Sequence, residues 1–209
     1  MAQYFHIHPT HPQHRLIVQA AGIVRDGGVI AYPTDSCYAL GCHTGDKAAM
    51  ERMRRIRQVD ERHHLTLMCR DLAEIATFAR VDNAQYRLLK RLTPGSYTFI
   101  LEATREVPRR LLHPKRKTIG IRVPEHPVTH ALLAELGEPL LSTTAILPGE
   151  EAPANDGLEL RERAEHDLAL VLDCGPCGVL PTTVIDLTGA QPVVVRQGKG
   201  VVEASELLA

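Results

Sequence analysis

The 209-residue sequence has few aromatic side chains, with five Tyr, three Phe and no Trp. Proteins that stack nucleic-acid bases on aromatic rings need more of them, so this mode of binding is disfavoured. No run approaches the roughly 18 consecutive apolar residues of a membrane-spanning helix, and residues 1–15 lack the charged-then-apolar order of a signal peptide. We therefore expect a cytoplasmic protein with no membrane partner.

A disulfide framework is also poorly supported, because the five cysteines are odd in number and spread along the chain. Cys174 and Cys177 have the spacing of a redox dithiol, but a β-rich run follows them where the usual redox motif opens a helix. A structural zinc site needs two more ligands, and the other close pair is Cys37 and Cys42 beside His43. We expect an inert turn at Cys174 and no bound metal, with redox chemistry and zinc as the alternatives.

The common nucleotide-binding and hydrolytic motifs do not occur in the sequence. It contains neither G-x-x-x-x-G-K-[ST] nor G-x-G-x-x-G, and neither H-E-x-x-H nor G-x-S-x-G. A P-loop ATPase and a standard dinucleotide-binding fold are therefore both disfavoured.

The charge is unevenly distributed, although the net charge is only -1. Residues 51–122 carry 17 Lys and Arg against 8 Asp and Glu, whereas the rest of the chain carries 7 against 17. Of the 24 basic residues 19 are Arg, whose planar fork suits bidentate contact with phosphate and carboxylate. A solvated charged face is the simplest interpretation, and a surface that attracts nucleotide or RNA is the alternative.

Hydrophobic periodicity and turn signals predict one α/β domain over residues 1–209. The pattern predicts strands at 29–32, 65–69, 97–101, 118–123, 139–143, 168–173, 183–186 and 193–196, and helices at 13–26, 44–57, 72–79, 84–92, 128–136 and 158–164. Strands that alternate with helices, without internal repeats, favour a three-layer domain around a twisted, mixed sheet. Ligands of such sheets bind beyond the strand ends.

Hydroxyl and arginine side chains recur near the predicted strand ends. They are Thr34, Ser36, Tyr38, Arg57, Arg122, Ser142, Thr144, Thr182, Thr183 and Arg196. Each alone is typical of a turn or a cap. Phosphate binding without a P-loop needs donors collected from several strand ends, so we expect Arg57, Ser142, Thr144 and Arg196 to converge on one cleft.

Several longer segments, in a fixed order, carry a family resemblance. They are residues 32–41 (YPTDSCYALG), 93–98 (TPGSYT), 119–127 (IGIRVPEHP), 141–145 (LSTTA), 181–187 (PTTVIDL) and 196–198 (RQG). This set resembles the YrdC/YciO superfamily of threonylcarbamoyl-adenylate synthases. The similarity to the YciO branch is closer still, through residues 4–9 (YFHIHP), 50–52 (MER), 66–71 (TLMCRD) and 106–112 (EVPRRLL).

The resemblance implies a YrdC/RibB-like domain with a concave basic cleft. The family's reaction joins L-threonine, bicarbonate and ATP, supplied as its Mg²⁺ complex, into threonylcarbamoyl-AMP and pyrophosphate for modification of tRNA. By position it implies catalysis and nucleotide contact by Arg57, Ser142 and Thr144, further nucleotide contact by Thr182, Thr183 and Arg196, and threonine contact by Thr34, Tyr38 and Arg122. Arg122 would clamp a carboxylate. No tightly bound cofactor is expected.

Two residues depart from the family pattern. Val59 stands where the family has the second basic residue of K-x-R, and Ile146 stands where the S-T-S-A-N run has Asn. We expect the two losses to slow the reaction, since each removes a polar contact to the nucleotide, and Arg54, Arg55 or Arg62 could compensate. The alternative function is binding of double-stranded RNA, tRNA or the ribosome through the basic middle segment.

Overall fold

The computed structural model describes residues 1–61, 63–113, 115–203 and 207. Its strands are β1 (Gln3–His6), β2 (Ile30–Tyr32), β3 (Ala39–His43), β4 (Thr66–Met68), β5 (Tyr97–Glu102), β6 (Thr118–Arg122), β7 (Leu140–Thr144), β8 (Leu170–Asp173), β9 (Thr183–Asp186) and β10 (Val193–Arg196). Its helices are α1 (His14–Arg25), α2 (Lys47–Arg57), α3 (Leu72–Phe78), α4 (Asn83–Leu92), α5 (Pro127–Leu136) and α6 (Gly157–Ala164), with a 3₁₀ turn at Arg109–Leu111. None of these helices is long and apolar enough to cross a membrane.

Polar caps fix where most of the helices begin, α1 being the exception. The Asp46 carboxylate accepts the Ala49 N–H at the start of α2, and Asp82 forms a reciprocal capping box with Gln85 at the start of α4. At the far end of α2, Gln58 adopts a left-handed conformation that stops the helix directly after Arg57. The last side chain of α2 is therefore held at a sharp turn of the chain.

All ten strands belong to one mixed sheet, in the order β1-β8-β2-β3-β7-β4-β6-β5-β9-β10. The pairs β1/β8, β2/β8, β4/β6 and β5/β9 are parallel, and the other five pairs are antiparallel. The predicted mixed sheet is thus confirmed.

Helices cover the two faces of the sheet unequally. The larger apolar core lies between one face and α2, α3, α4 and α6, and a smaller core lies under α1 and α5. This arrangement gives the predicted three layers. The smaller core takes its strand residues from β2, β3, β4, β7 and β8. Among the described residues, no helix continues that layer over β6, β5 and β9, and this half of the face is open.

Two strands, β1 and β3, were not predicted from the sequence. β1 is a short edge strand whose residues are half exposed, so it shows no buried run. β3 has the sequence ALGCH and is buried along nearly its whole length, which removes the alternation that identifies a strand. The strand β3 matters for the site because it lies next to β7.

Candidate functional site

A cavity of about 380 Å³ lies on the open half of the sheet face. Its walls come from strands on both sides of the central strand β4 and from the turns that follow α2 and β7. Seven of the nine residues with predicted binding roles line it: Thr34, Arg57, Arg122, Ser142, Thr144, Thr182 and Arg196. The first and last of these are 162 positions apart in sequence, and only the sheet brings them together.

The floor of the cavity is one row of residues across the sheet. Ser142 pairs with Gly41 on one side and Thr66 on the other, and Thr66 pairs with Gly120. A Cβ atom at Gly120 would lie 3.2 Å from Thr66 Oγ1, so glycine keeps this part of the floor low. The Ser142 hydroxyl donates to the Leu40 carbonyl at 3.1 Å and lies 2.6 Å from the Tyr32 hydroxyl. Buried hydrogen bonds thus hold Ser142 in one orientation.

Arg57 reaches the cavity from the end of α2. One Nη donates to the Ile146 carbonyl at 2.7 Å, while the buried Nε has no hydrogen-bond partner among the described residues. Burial lowers the pKa of the guanidinium, although Arg remains charged at neutral pH. A buried cationic donor without a partner favours an anionic ligand at this point.

Arg122 is the last residue of β6 and is almost completely buried. Its Nη2 contacts Asp35 Oδ1 at 2.6 Å and Thr34 Oγ1 at 3.4 Å. The buried Nε is without a hydrogen-bond partner in the part of the chain that is described. The ion pair therefore fixes the fork while leaving one donor for a ligand.

Asp35 is held in its charged form. Burial alone would raise its pKa, but Arg122, the Ser96 hydroxyl at 2.6 Å and the Glu125 N–H at 3.0 Å outweigh burial and lower it. Lys199 also donates to the Asp35 carbonyl. The turn that carries Thr34 and Asp35 is thus fastened to three separate parts of the chain.

Arg196 closes the opposite wall from the end of β10. Its Nη2 donates to the Thr182 carbonyl at 2.9 Å, and the Thr182 and Thr98 hydroxyls lie 2.8 Å apart. Burial lowers the pKa of Arg196, as it does at Arg57. The cavity thus receives guanidinium groups from three different elements.

Two of the predicted residues, Tyr38 and Thr183, are not among the described residues that line the cavity, so the structure gives no support to their predicted contacts with threonine and nucleotide. Tyr38 is fully buried in the larger core, where its hydroxyl donates to Asp173 Oδ1 at 2.7 Å. Thr183 is also fully buried, and its hydroxyl donates to the Gly200 carbonyl and accepts the Gly198 N–H. Successive strand residues point to opposite faces, so their neighbours Ala39 and Thr182 line the cavity instead.

The structure adds His63 and His64 to the cavity wall. His63 Nε2 lies 3.4 Å from the Thr143 hydroxyl, and the His64 ring stacks on His113 at 4.8 Å between centroids. Burial, followed by the nearby Arg57, lowers the pKa of His63, so its imidazole is neutral at pH 7. The sequence analysis did not identify these two residues; the one signal it offered for them is a tandem His pair shortly after a basic helix.

Two of the three residues proposed to compensate for Val59, Arg54 and Arg55, make their contacts outside the cavity. Arg54 donates to the Asp60 carbonyl, and Arg55 forms an ion pair with Asp167 at 3.0 Å. Arg62 lies outside the described residues. Ile146 lines the cavity and contributes its carbonyl to Arg57.

The lining of the cavity is cationic. Its charge comes from Arg57, Arg122 and Arg196, and no Asp or Glu is among the described residues that line it. Apolar side chains between them, including Met68, Ile100 and Val184, exclude water and strengthen each charge. Such a site suits a ligand with several negative groups and an apolar portion.

The fold and the cavity together define the structural class of this protein, which is a mixed α/β sheet with a cationic cavity on its open face. The chain belongs to the Sua5/YciO/YrdC family, whose model, described as "Telomere recombination", matches residues 22–198.

Individual relatives agree with this membership. The uncharacterized protein YciO of Escherichia coli is 59% identical over 200 residues, which cover 96% of this chain and 97% of that protein. Its crystal structure has a TM-score of 0.94 and covers 97% of this chain and 98% of the other. A threonylcarbamoyl-AMP synthase of Chromobacterium violaceum is 39% identical over 69% of this chain and 75% of its own. The crystal structure of P. abyssi Sua5 complexed with L-threonine has a TM-score of 0.85 at 25% identity and covers 93% of this chain and 57% of the other.

Proposed function

We propose that this protein forms threonylcarbamoyl-AMP from L-threonine, bicarbonate and ATP, with ATP entering as its Mg²⁺ complex. The observation that carries the proposal is the convergence of Arg57, Arg122 and Arg196 on one cavity. Two of the three keep a buried Nε without a partner among the described residues. Relatives that are named threonylcarbamoyl-AMP synthases support the same activity.

The reaction places different demands on the two ends of the cavity. The threonine amine and bicarbonate form a carbamate with loss of water, and a carbamate oxygen attacks the α-phosphorus of ATP and expels pyrophosphate. Negative charge builds on the phosphates in this step, so cationic donors stabilise it. We assign Arg57 and Arg196 to the phosphates, with the hydroxyls of Ser142, Thr144 and Thr182 as further nucleotide contacts.

We assign the amino-acid end of the cavity to Arg122 and Thr34. The free Nε of Arg122 supplies a donor to the threonine carboxylate, and Asp35 keeps the guanidinium in place while the ligand binds. Tyr38 and Thr183 have no role in this assignment because they lie on the other face.

A pyrophosphate-release screen tests the proposal. The purified protein is incubated with ATP, Mg²⁺, bicarbonate and each of the 20 amino acids in turn. Release that depends on both threonine and bicarbonate supports the proposal, and release with a different amino acid would identify a related carbamoyl-adenylate synthase. Absence of release with every amino acid would refute an enzymatic role.

The second candidate function is binding of double-stranded RNA or tRNA. A separate cavity of about 720 Å³ is lined by Arg80, Arg105, Arg109, His113 and Lys117, with no acidic residue among the described lining. All of these lie in the basic middle segment of the chain. Clustered basic side chains without acidic neighbours favour a polyanion such as an RNA backbone.

A further inference from the structure

The segment Cys174–Cys177 brings two thiols together directly after β8. The Sγ atoms lie 3.8 Å apart, and both cysteines are free and partly exposed. A disulfide needs an S–S distance of about 2.05 Å, so a displacement of under 2 Å would join them. The chain of the intervening Gly175 has φ +88°, a conformation that glycine adopts without strain and that folds Cys177 back toward Cys174.

His126 supplies an activating group for Cys174, since no helix begins directly after this pair of cysteines. It is the N-cap of α5, and its Nδ1 accepts the Val128 N–H at 3.3 Å. A neutral imidazole in this position keeps its proton on Nε2, which lies 3.9 Å from Cys174 Sγ. The helix that normally activates a redox cysteine is therefore replaced by an imidazole N–H directed at the sulfur.

The groups around Cys174 favour its thiolate. The Cys177 thiol and His126 lower the pKa of Cys174 and outweigh the opposing effects of burial and Asp173. The Asp173 carboxylate is itself occupied by the hydroxyls of Tyr4 and Tyr38. The hydrogen bond with Cys174, together with burial, raises the pKa of Cys177. Cys174 therefore carries the thiolate, and Cys177 keeps its proton.

The other three cysteines cannot compete for the reaction. Cys37, Cys42 and Cys69 are buried, and burial raises the pKa of each. The Cys177 N–H and the Gly178 N–H both donate to Asn155 Oδ1, at 3.0 and 2.7 Å, which holds the turn in place. Reactivity is thus confined to one ordered pair.

We propose that Cys174, Cys177 and His126 form a thiol–disulfide exchange site for low-molecular-weight disulfides. The Cys174 thiolate attacks one sulfur of the small disulfide, forming a mixed disulfide and releasing one thiolate. The Cys177 thiol then loses its proton and attacks the Cys174 sulfur, which releases the second thiolate. The protein dithiol gives up two electrons and two protons, and the small disulfide is reduced to two thiols. Cys174, Cys177 and His126 are not among the described residues that line the cationic cavity, so the proposal does not rest on the function proposed for that cavity.

Exchange with oxidised glutathione tests the proposal on the full chain. The reduced protein is incubated with the reagent at pH 7, quenched with acid, and alkylated under denaturing conditions for mass spectrometry. We expect two of the five thiols to be lost to alkylation, with a Cys174–Cys177 disulfide in the peptide map. Retention of five alkylatable thiols, or a disulfide between other cysteines, would overturn the proposal.

Matched variants test which sulfur attacks the small disulfide and which one resolves the mixed disulfide. Cys177→Ser should stop at a glutathione adduct on Cys174, whereas Cys174→Ser should react more slowly by about tenfold because burial still raises the pKa of Cys177. His126→Asn keeps a favourable N-cap for α5 but removes the imidazole, and it should slow the adduct on Cys174 by about tenfold in the Cys177→Ser background. Equal rates for the two serine variants, or an unchanged rate after His126→Asn, would contradict the assigned roles.

Discussion

We expect Val59 and Ile146 to limit the rate of the proposed reaction. Ile146 is an apolar residue among those that line the cavity. Val59 lies two positions after Arg57, the last residue of α2. Replacing Val59→Arg together with Ile146→Asn adds phosphate charge and a polar nucleotide contact. We expect threonine-dependent pyrophosphate release to rise at least about tenfold, equivalent to roughly 1.4 kcal/mol of transition-state stabilisation.

A matched control carries similar changes away from the cavity. Val18→Arg and Leu158→Asn alter exposed positions on α1 and α6 and should leave pyrophosphate release unchanged. If the folded Val59→Arg, Ile146→Asn double variant shows no gain, the two residues are not what limits the reaction, and RNA binding becomes the preferred function.

His63 should report on nucleotide binding through its own titration. In the free protein its pKa lies below 6.5, because burial and Arg57 both disfavour the imidazolium. Bound phosphates neutralise Arg57 and attract a proton, so addition of ATP should raise the pKa of His63. NMR titration of the imidazole signal, assigned with His63→Gln, measures the shift. An unchanged His63 titration at saturating ATP would place the phosphates elsewhere.

At the scale of single elements, the two-residue alternation of a strand decides which of two adjacent side chains faces the cavity, and the sequence alone does not give its phase. Thr182 and Thr183 are adjacent hydroxyls, and the sequence alone does not say which one faces the cavity. Pairing of β9 with β5 settles this, since Thr183 pairs with Tyr97 and Thr182 precedes the strand. Arg57, Arg122 and Arg196 were predictable because each ends an element whose boundary the sequence marks clearly.

Removing the hydroxyl of Tyr38 or of Tyr32 tests which of the two tyrosines supports the cavity. Tyr38→Phe removes hydrogen bonds to Asp173 and to the Gly175 carbonyl, so we expect a loss of about 1–3 kcal/mol in the free energy of unfolding with ligand affinity unchanged. Tyr32→Phe removes the contact to Ser142 under the cavity floor and should weaken ATP binding as well. Urea unfolding and calorimetric titration measure both effects. Weaker ATP or threonine binding by Tyr38→Phe would return Tyr38 to the site.

At the scale of the whole molecule, the sequence predicts the layers but not where the second layer ends. The helices α1 and α5 pack on β2, β3, β4, β7 and β8 and stop there, because their combined width covers only part of a ten-stranded face. That limit depends on strand order, and β3, which joins β2 to β7, was not predicted. The position of the open half of the sheet therefore required the structure.

The uneven charge makes a prediction for the molecule as a whole. Affinity for a double-stranded RNA should fall steeply with salt and discriminate little between sequences, because the binding surface offers arginines and few aromatic rings. Arg105→Ala with Arg109→Ala should reduce the slope of log affinity against log salt by about two. Titration of duplexes of different sequence at several salt concentrations measures this. Binding that ignored salt, or that followed one sequence, would exclude the basic cavity as the contact surface.

Incorporation of labelled bicarbonate is the most direct test of the account. The protein is incubated with ¹⁴C-bicarbonate, ATP, Mg²⁺ and L-threonine, and label is measured in an adenylate product. We predict a labelled adenylate that requires threonine, and a decrease of at least about a hundredfold in Arg122→Ala, which loses the carboxylate clamp. Because this variant leaves Asp35 unpaired, its fold is verified by thermal unfolding and by Arg122→Ala combined with Asp35→Asn. A folded native protein that yields no labelled adenylate, or an Arg122→Ala variant of undiminished activity, would contradict the assignment of this cavity.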